Sequence, residues 1–208
     1  MDKSALIKML KLQGIRSQAV LDAIEKVPRE DFVSIGYEDE AYENHPLPIG
    51  HQQTISQPYI VAQMTEIILT ENTHKILEIG TGSGYQAAIL SLLVKEVYTV
   101  ERILALYEQA NERFKRLNYH HIHTHFGDGF EGWSAHAPYD AIIVTAATPK
   151  VPPALLEQLA DHGRLLLPLG QTWGGQQLQL IIRQGESYHT EIFEPVVFVP
   201  MLTGTTKK

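Results

Sequence analysis

The run Lys75-Ile76-Leu77-Glu78-Ile79 is a strand-length apolar segment that stops at a glycine, and glycines then recur at every second position, Gly80, Gly82 and Gly84. Glycine has no Cβ and accepts positive φ, so this spacing lets a chain leaving a strand turn tightly and bring its backbone against a ligand. Helical spacing resumes at Tyr85 and continues to Leu93, which places the glycines between a strand end and the free N–H groups of a helix.

The same alternation repeats downstream. A strand over Val97 to Val100 ends at Glu101, a helix follows from Leu104 to Leu117, and a strand from Ile122 to Phe126 ends in Gly127-Asp128-Gly129. A fourth strand, Ala141 to Thr145, precedes a helix over Pro153 to Leu159, and a fifth, Arg164 to Pro168, follows Gly163, whose position suits a helix C-cap. Gln177 to Arg183 and Ile192 to Val199 read as two more strands with no helix between them, suited to an antiparallel hairpin at one sheet edge. This order predicts an α/β fold, a doubly wound and mostly parallel sheet that holds ligands at the carboxyl ends of its first strands.

Upstream, Leu6, Ile7, Leu10, Ile15, Val20, Leu21 and Ile24 predict two short amphipathic helices broken at Gly14, and Ile60 to Ile68 a third after Pro58. Between Arg29 and Pro58 the pattern is irregular, with Pro46, Pro48 and Gly50, and reads as a long connection packed over something. Connections of that length inside compact domains are usually functional. One domain is expected over 1–208, with 1–58 as an N-terminal helical extension and active-site cover and 59–208 as an α/β core.

Composition excludes several classes. The 24 acidic and 17 basic residues give a net charge of -7 without a basic stripe, which argues against a nucleic-acid partner. Cysteine is absent, so disulfides, thiolate metal sites and a cysteine nucleophile are out. Met1 to Gln13 has no signal-like apolar core, and no apolar run approaches the roughly 18 residues of a membrane span, so a cytoplasmic protein without membrane contact is expected. His121, His123 and His125 would share one face of a strand, but no acidic residue lies within that run, so it reads as a solvated or partly covered sheet-entry segment and no metal site is expected. Trp133 and Trp173 read as packing residues, and Gly170 to Gly175 as a loop between strands.

The ligand is read from the acidic residues at the strand ends. In dinucleotide enzymes the third glycine comes three residues after the second; here it comes two after, and Tyr85 takes the place of the usual Gly or Ala. Glu78, two residues before Gly80, would repel a pyrophosphate but suits the ammonium or sulfonium end of an amino-acid-like ligand. Glu101 ends the second strand, where a carboxylate can accept from ribose hydroxyls, and Asp128 follows the third, where it can accept from an adenine amino group. A dinucleotide-dependent oxidoreductase is the weaker alternative.

This set of strand ends resembles the seven-stranded S-adenosylmethionine methyltransferase fold, which is Rossmann-like. VPREDFV (Val27 to Val33), AYENHPLPIG (Ala41 to Gly50), QTISQPYIVAQMTE (Gln53 to Glu66), ILEIGTGSGYQAA (Ile76 to Ala88), VERI (Val100 to Ile103), GDG (Gly127 to Gly129) and YDAIIVTAA (Tyr139 to Ala147) resemble the protein-L-isoaspartate O-methyltransferase family, in its order and over nearly the whole chain. Many methyltransferases share the glycine loop, but the TISQP stretch is far more specific. One departure stands out: the family commonly has a glycine before QTISQP, where this chain reads His51-Gln52-Gln53.

The resemblance implies methyl transfer from S-adenosylmethionine to the free carboxyl of L-isoaspartyl residues, and by extension D-aspartyl residues, in damaged proteins and peptides. It implies cofactor contacts at Thr54, Ile55, Glu78, Gly80, Gly82, Gly84, Glu101, Asp128 and Gly129, with Ser56 as the catalytic residue. An attacking serine has no place in a direct transfer, so a hydroxyl that orients the substrate carboxylate or shapes the methyl-transfer site is expected, and with no G-x-S-x-G elbow around Ser56 a hydrolase reading is weaker. The other readings are a methyltransferase for a different acceptor and a cofactor-binding protein without catalysis. A monomer is expected.

Overall fold

The computed structural model describes residues 1–171 and 175–207. Helices α1 (Lys3–Leu12) and α2 (Gln18–Lys26) open the chain, and each starts at a side-chain cap, Asp2 accepting from the Ala5 N–H and Ser17 from the Val20 N–H. Their buried residues are the stripe that the spacing predicts, with Gly14 at φ +102 in the break between them. The segment read as irregular holds two short 3₁₀ turns and a small hairpin, β1 (Leu47–Gly50) and β2 (Gln53–Ile55). Local prolines hid that hairpin from the pattern, because its three or four residues per strand are too few to show an alternation. Helix α3 (Pro58–Ile68) follows, with Pro58 in its first turn where the missing N–H has no partner to lose.

The main sheet comprises β3 (Lys75–Ile79), β4 (Glu96–Glu101), β5 (Ile122–Phe126), β6 (Tyr139–Val144), β7 (Leu159–Gln171), β8 (Gly175–Gln184) and β9 (Ser187–Val196), in the order β5-β4-β3-β6-β7-β8-β9. The first five run parallel, connected through α4 (Tyr85–Ser91), α5 (Leu104–Arg116) and α6 (Pro153–Glu157), while β8 and β9 add an antiparallel meander at one edge. The fold is the doubly wound, mostly parallel Rossmann-like sheet. The chain leaves β3 to one side through β4 and β5 and returns on the other with β6, so the crevice at this reversal opens beside the carboxyl end of β3.

Alternate residues of the central strands enter two different cores, as the two-residue period of a strand requires. Ile76, Val97, Ile143 and Leu166 join the cluster built on α1 to α5, whereas Leu77, Tyr98, Ile142 and Leu165 face the opposite one with Leu155 of α6 and Met201. No helix among the described residues is long and apolar enough to cross a membrane.

Three expectations need correction. Gly163 is not a helix C-cap: α6 ends at Glu157, and Gly163 lies inside β7, where a Cβ would stand 2.7 Å from the Ala160 carbonyl oxygen. The backbone bulges there, since Tyr139 pairs with Leu159 but Ala141 pairs with Arg164. The last strand runs Ser187–Val196 instead of Ile192 to Val199, because its pairing with β8 starts at a tight turn, Gln184 opposite Ser187. The segment from 197 onward leaves the sheet for the crevice. Of the Gly170 to Gly175 loop, both ends belong to β7 and β8, and Trp173 lies outside the described residues.

The alternate histidines of β5 are packing groups. His123 stacks on Tyr98 at 4.8 Å between ring centroids and His125 on Trp133 at 4.9 Å, with Trp133 edge-on to Tyr98. Among the described residues no three metal-capable side chains gather.

The departure before QTISQP has a structural consequence. Gly50 pairs with Gln53, so His51 and Gln52 form a two-residue hairpin turn with φ at +52° and +58°. Turns with positive φ at both central residues favour Asn-Gly, and a side chain with a Cβ is strained there by about 1 kcal/mol or more. Gln52→Gly is therefore expected to raise stability by roughly 0.5 to 1 kcal/mol, after allowance for the extra freedom of glycine in the unfolded chain, while Gln52→Ala gives no gain. Thermal unfolding of the two variants beside the parent checks this.

Candidate active site

The glycine loop closes over the end of β4. Gly80 and Thr81 both donate to the Val100 carbonyl, at 2.9 and 3.2 Å, and Gly82 N–H donates to Glu101 Oε2 at 2.8 Å. Gly80 has φ +97°, and a Cβ there would come within 2.5 Å of Thr145 Oγ1, the hydroxyl that donates to the carbonyls of Ile79 and Gly80. Gly84 starts α4 at φ +88° against the Phe114 ring, 2.6 Å from where a Cβ would sit. Both positions require glycine, one to seat the loop on β6 and one to pack α4 on α5.

Glu78 is fully buried. Its Oε2 accepts from Thr99 Oγ1 at 2.5 Å, and Thr99 meets Thr81 at 2.7 Å, but its Oε1 has no partner among the described residues. Burial pushes its carboxyl up to about 8, the Thr99 hydrogen bond pulling it back and Glu101 adding to the rise. Glu101 is also buried and also raised by burial, against the opposing pull of backbone N–H groups of Gly82, Ile103 and Arg102. Its Oε1 accepts from Ile103 N–H at 2.9 Å, and each carboxylate oxygen keeps capacity for a second donor.

Two adjoining cavities meet at this loop. The first, a solvent-open space of about 660 Å³, is lined by Glu101, Ile103, Leu106, Gly129 and Ala146 and by Ile49, Gln53 and Val199 to Leu202. The second, about 430 Å³, is lined by Ile55, Ser56, Glu78, Thr81, Tyr85 and Gln86. Thr54, Gly80, Gly82 and Thr145 border both. Ser56 and Glu78 thus face one cavity and Glu101 the other. Among the described residues the Ser56 hydroxyl makes no hydrogen bond, so the serine does not fold back on its own turn, and its carbonyl accepts from Arg29.

Two expected ligand residues sit aside. Asp128 lines neither cavity and spends its oxygens on the N–H groups of Phe130 at 2.9 Å and Gly204 at 2.6 Å, while its neighbour Gly129 lines the first. Gly84 lines neither and serves packing.

The sequence reading missed Thr145 and the Arg29 contact, and on sequence alone Phe198 to Leu202, which walls the first cavity from Val199 to Leu202, reads as a packing segment that could also touch substrate. The signal for Thr145 was a hydroxyl at the end of the strand next to β3. The wall is tied down by Ala147, whose N–H donates to the Val199 carbonyl at 2.8 Å and whose carbonyl accepts from Met201 at 2.7 Å, and further on by Arg102 to Gly204 at 2.9 Å. Nothing local in the sequence announces those pairings.

An unpartnered buried carboxylate oxygen, a glycine loop with no room for a side chain at Gly80, and a second carboxylate at the neighbouring strand end fit a ligand with a cationic amino-acid end and a ribose, and fit a pyrophosphate poorly. The family model for protein-L-isoaspartate(D-aspartate) O-methyltransferase matches residues 1–206. The chain belongs to this family. Protein-L-isoaspartate O-methyltransferases of Shewanella halifaxensis and Serratia proteamaculans are 54% and 53% identical over 199 residues, covering 96% of this chain and 93% and 95% of theirs. A solved protein-L-isoaspartate O-methyltransferase structure superposes with a TM-score of 0.87 at 27% identity over 96% of this chain, which spans 65% of that longer one. A Plasmodium falciparum structure described as a β-aspartate methyltransferase, in complex with S-adenosyl-L-homocysteine, superposes with a TM-score of 0.83 at 22% identity, over 97% of this chain and 99% of its own, and shares the fold.

The Glu78 carboxyl has a testable pH signature. Its folded value of about 8 lies above the usual 4.5, so between those values the folded protein holds a proton that the unfolded chain has released. Its contribution to stability is therefore full below about pH 4.5 and is lost as pH rises through about 8. Glu78→Gln should remove this decline, measured as the difference in unfolding free energy between parent and variant from pH 5 to 9. A cationic ligand end favours the ionised carboxylate, so calorimetry of S-adenosylhomocysteine binding near pH 7 in buffers of different ionisation enthalpy should register proton release from the parent and none from Glu78→Gln.

Proposed function

We propose that this chain transfers a methyl group from S-adenosylmethionine to the free carboxyl of L-isoaspartyl residues, with Ser56 placing the acceptor carboxylate. The observation that carries the reading is that Ser56, with an unengaged hydroxyl, shares a cavity with Glu78, whose Oε1 has no partner among the described residues, next to a second cavity lined by Glu101.

When bound, the cofactor supplies a methyl group made electrophilic by its sulfonium. Glu101 would hold the ribose hydroxyls, Gly129 and Ile103 the base region, and Glu78 the ammonium, with the backbone of Gly80 and Gly82 and the Thr54-Ile55 segment closing around the centre. Asp128 would act on the adenine site by fixing Gly129 and Gly204, which its carboxylate already engages. The acceptor is a carboxyl group with a reference pKa of about 4, so it is ionised at neutral pH and no side chain has to serve as a general base. What the protein supplies is alignment, which can be worth several kcal/mol, and a site from which the cover formed by β1, β2 and the Val199 to Leu202 wall keeps water. The Ser56 hydroxyl donates to one carboxylate oxygen and leaves the other free to attack.

Residues 1–58 and 59–208 act together as one unit and as a cytoplasmic monomer. The hydrophobic cluster that runs from Leu6 to Phe198 supports the first part, and the cysteine-free composition is consistent with a reducing compartment.

Transfer of labelled methyl to a peptide containing one isoaspartyl residue, with the normal aspartyl peptide as control and a D-aspartyl peptide in parallel, tests the activity. Base-labile label on the isoaspartyl peptide alone or with the D-aspartyl one is expected; cofactor binding without label on either would sink the substrate assignment. Ser56→Ala loses a hydrogen bond to a charged group, worth about 1.5 to 3 kcal/mol, so kcat should fall roughly 10- to 100-fold while S-adenosylhomocysteine still binds.

A further inference from the structure

Arg29 is fully buried, a long charged side chain inside the protein that forms no ion pair with a carboxylate among the described residues. Taking a cation out of water without a counter-charge is costly, and the geometry around it shows what the burial secures. Nε donates to the Ala41 carbonyl at 2.7 Å and Nη2 to the Ser56 carbonyl at 2.9 Å, while the guanidinium carbon lies 4.7 Å from the centroid of the Tyr85 ring. Tyr85 is the first residue of the helix that leaves the glycine loop, and it lines the same cavity as Ser56. One rigid, planar group therefore ties three segments that are distant in sequence: the cover at Ala41, the strand-to-helix link at Ser56, and the start of α4.

We infer that Arg29 is the positioning residue for Ser56: it sets the distance and orientation of the serine relative to the glycine loop, through the serine's own carbonyl. On either side of the serine the link between β2 and α3 is held by other groups, the Tyr59 N–H donating to Asn44 Oδ1 at 3.0 Å and the Val61 N–H to the Gln57 carbonyl at 3.1 Å, but the Ser56 carbonyl itself is held by Arg29. Ile55 is the last residue paired in the hairpin, opposite Leu47, and Gln57 at the start of α3 makes no side-chain cap. Without Arg29 the Ser56 carbonyl loses the bond that fixes the orientation of its peptide between those two ends. Arg29 itself lines neither cavity and reaches the site through Ser56, whose carbonyl it holds, and through the Tyr85 ring, and a double-mutant cycle separates the two routes.

This inference rests on the reading of Ser56 as the residue that places the acceptor, and a double-mutant cycle separates the two. The kcat for an isoaspartyl peptide is measured at saturating S-adenosylmethionine and peptide for the parent, R29Q, S56A and R29Q/S56A, per mole of protein competent to bind S-adenosylhomocysteine. Misplacement by about 1 Å can cost on the order of 100-fold, so R29Q should lower kcat by about 10- to 100-fold, with R29K, which keeps the charge but not the fork, in between. In the S56A background, where no hydroxyl remains to be placed, R29Q should cost less than about threefold. A full R29Q loss on top of an impaired S56A, or an R29Q with parental kcat and only a lower melting temperature, overturns the positioning role and leaves Ser56 intact. An S56A with parental kcat overturns the reading of Ser56 and this inference with it.

Discussion

The carboxyl end of β3 carries a glutamate buried beneath the glycine loop with one oxygen satisfied and one open, and much of the site is organised around that fact. Glu78 can stay there because Thr99 and Thr81 form a short hydroxyl chain beside it and because its proton is held at neutral pH. A buried acceptor without a donor is costly, and a ligand that brings one recovers that cost as affinity. The loop above it cannot move aside, since Gly80 is clamped between Thr145 and the Val100 carbonyl. The cradle's shape is thus fixed by bonds within the protein, which suits a site that must align a methyl group with an incoming carboxylate.

The second carboxylate works differently. Glu101 caps the loop from below, accepting from Gly82 and Ile103 at once, so the residue that faces the first cavity also fixes the loop that divides the two. Recognition and loop geometry share the same atoms. On the far side of the cavity the chain's last stretch returns through Ala147 and Arg102, and Asp128 holds Gly204, so the wall depends on a residue that the sequence assigns to the ligand.

The cover is the part that a pattern of apolar residues describes least. Its apolar side chains, Phe32, Leu47 and Ile55 among them, join the core, and long-range polar bonds add to that fastening: Arg29 to Ser56, Ser34 to the Pro48 carbonyl, and Arg113 to the carbonyls of Asp31 and Ser83. Such bonds reach carbonyl groups, which every residue has, so no side-chain type at the receiving end marks them in advance. The strained turn at His51-Gln52 belongs to the same class, since a positive φ outside glycine is visible only once the hairpin is seen to close.

The strands β3 to β6 and the helices α4 and α5 were legible because each is a local pattern, an apolar alternation bounded by glycine, and the parallel order follows from how such units connect. The glycine loop, Glu78 and Glu101 were legible for the same reason: a strand end followed by a tight turn fixes where a residue points without reference to the rest of the chain. Elsewhere local pattern misled. Gly163 carries a C-cap signature yet sits in a bulge set by the pairing of β7 with β6. The sequence by itself determined the fold class, the family and the two carboxylates that face the cavities. Only the tertiary structure decided what holds Ser56, what walls the site and which buried groups lack partners, because those depend on donors and acceptors brought together from distant parts of the chain.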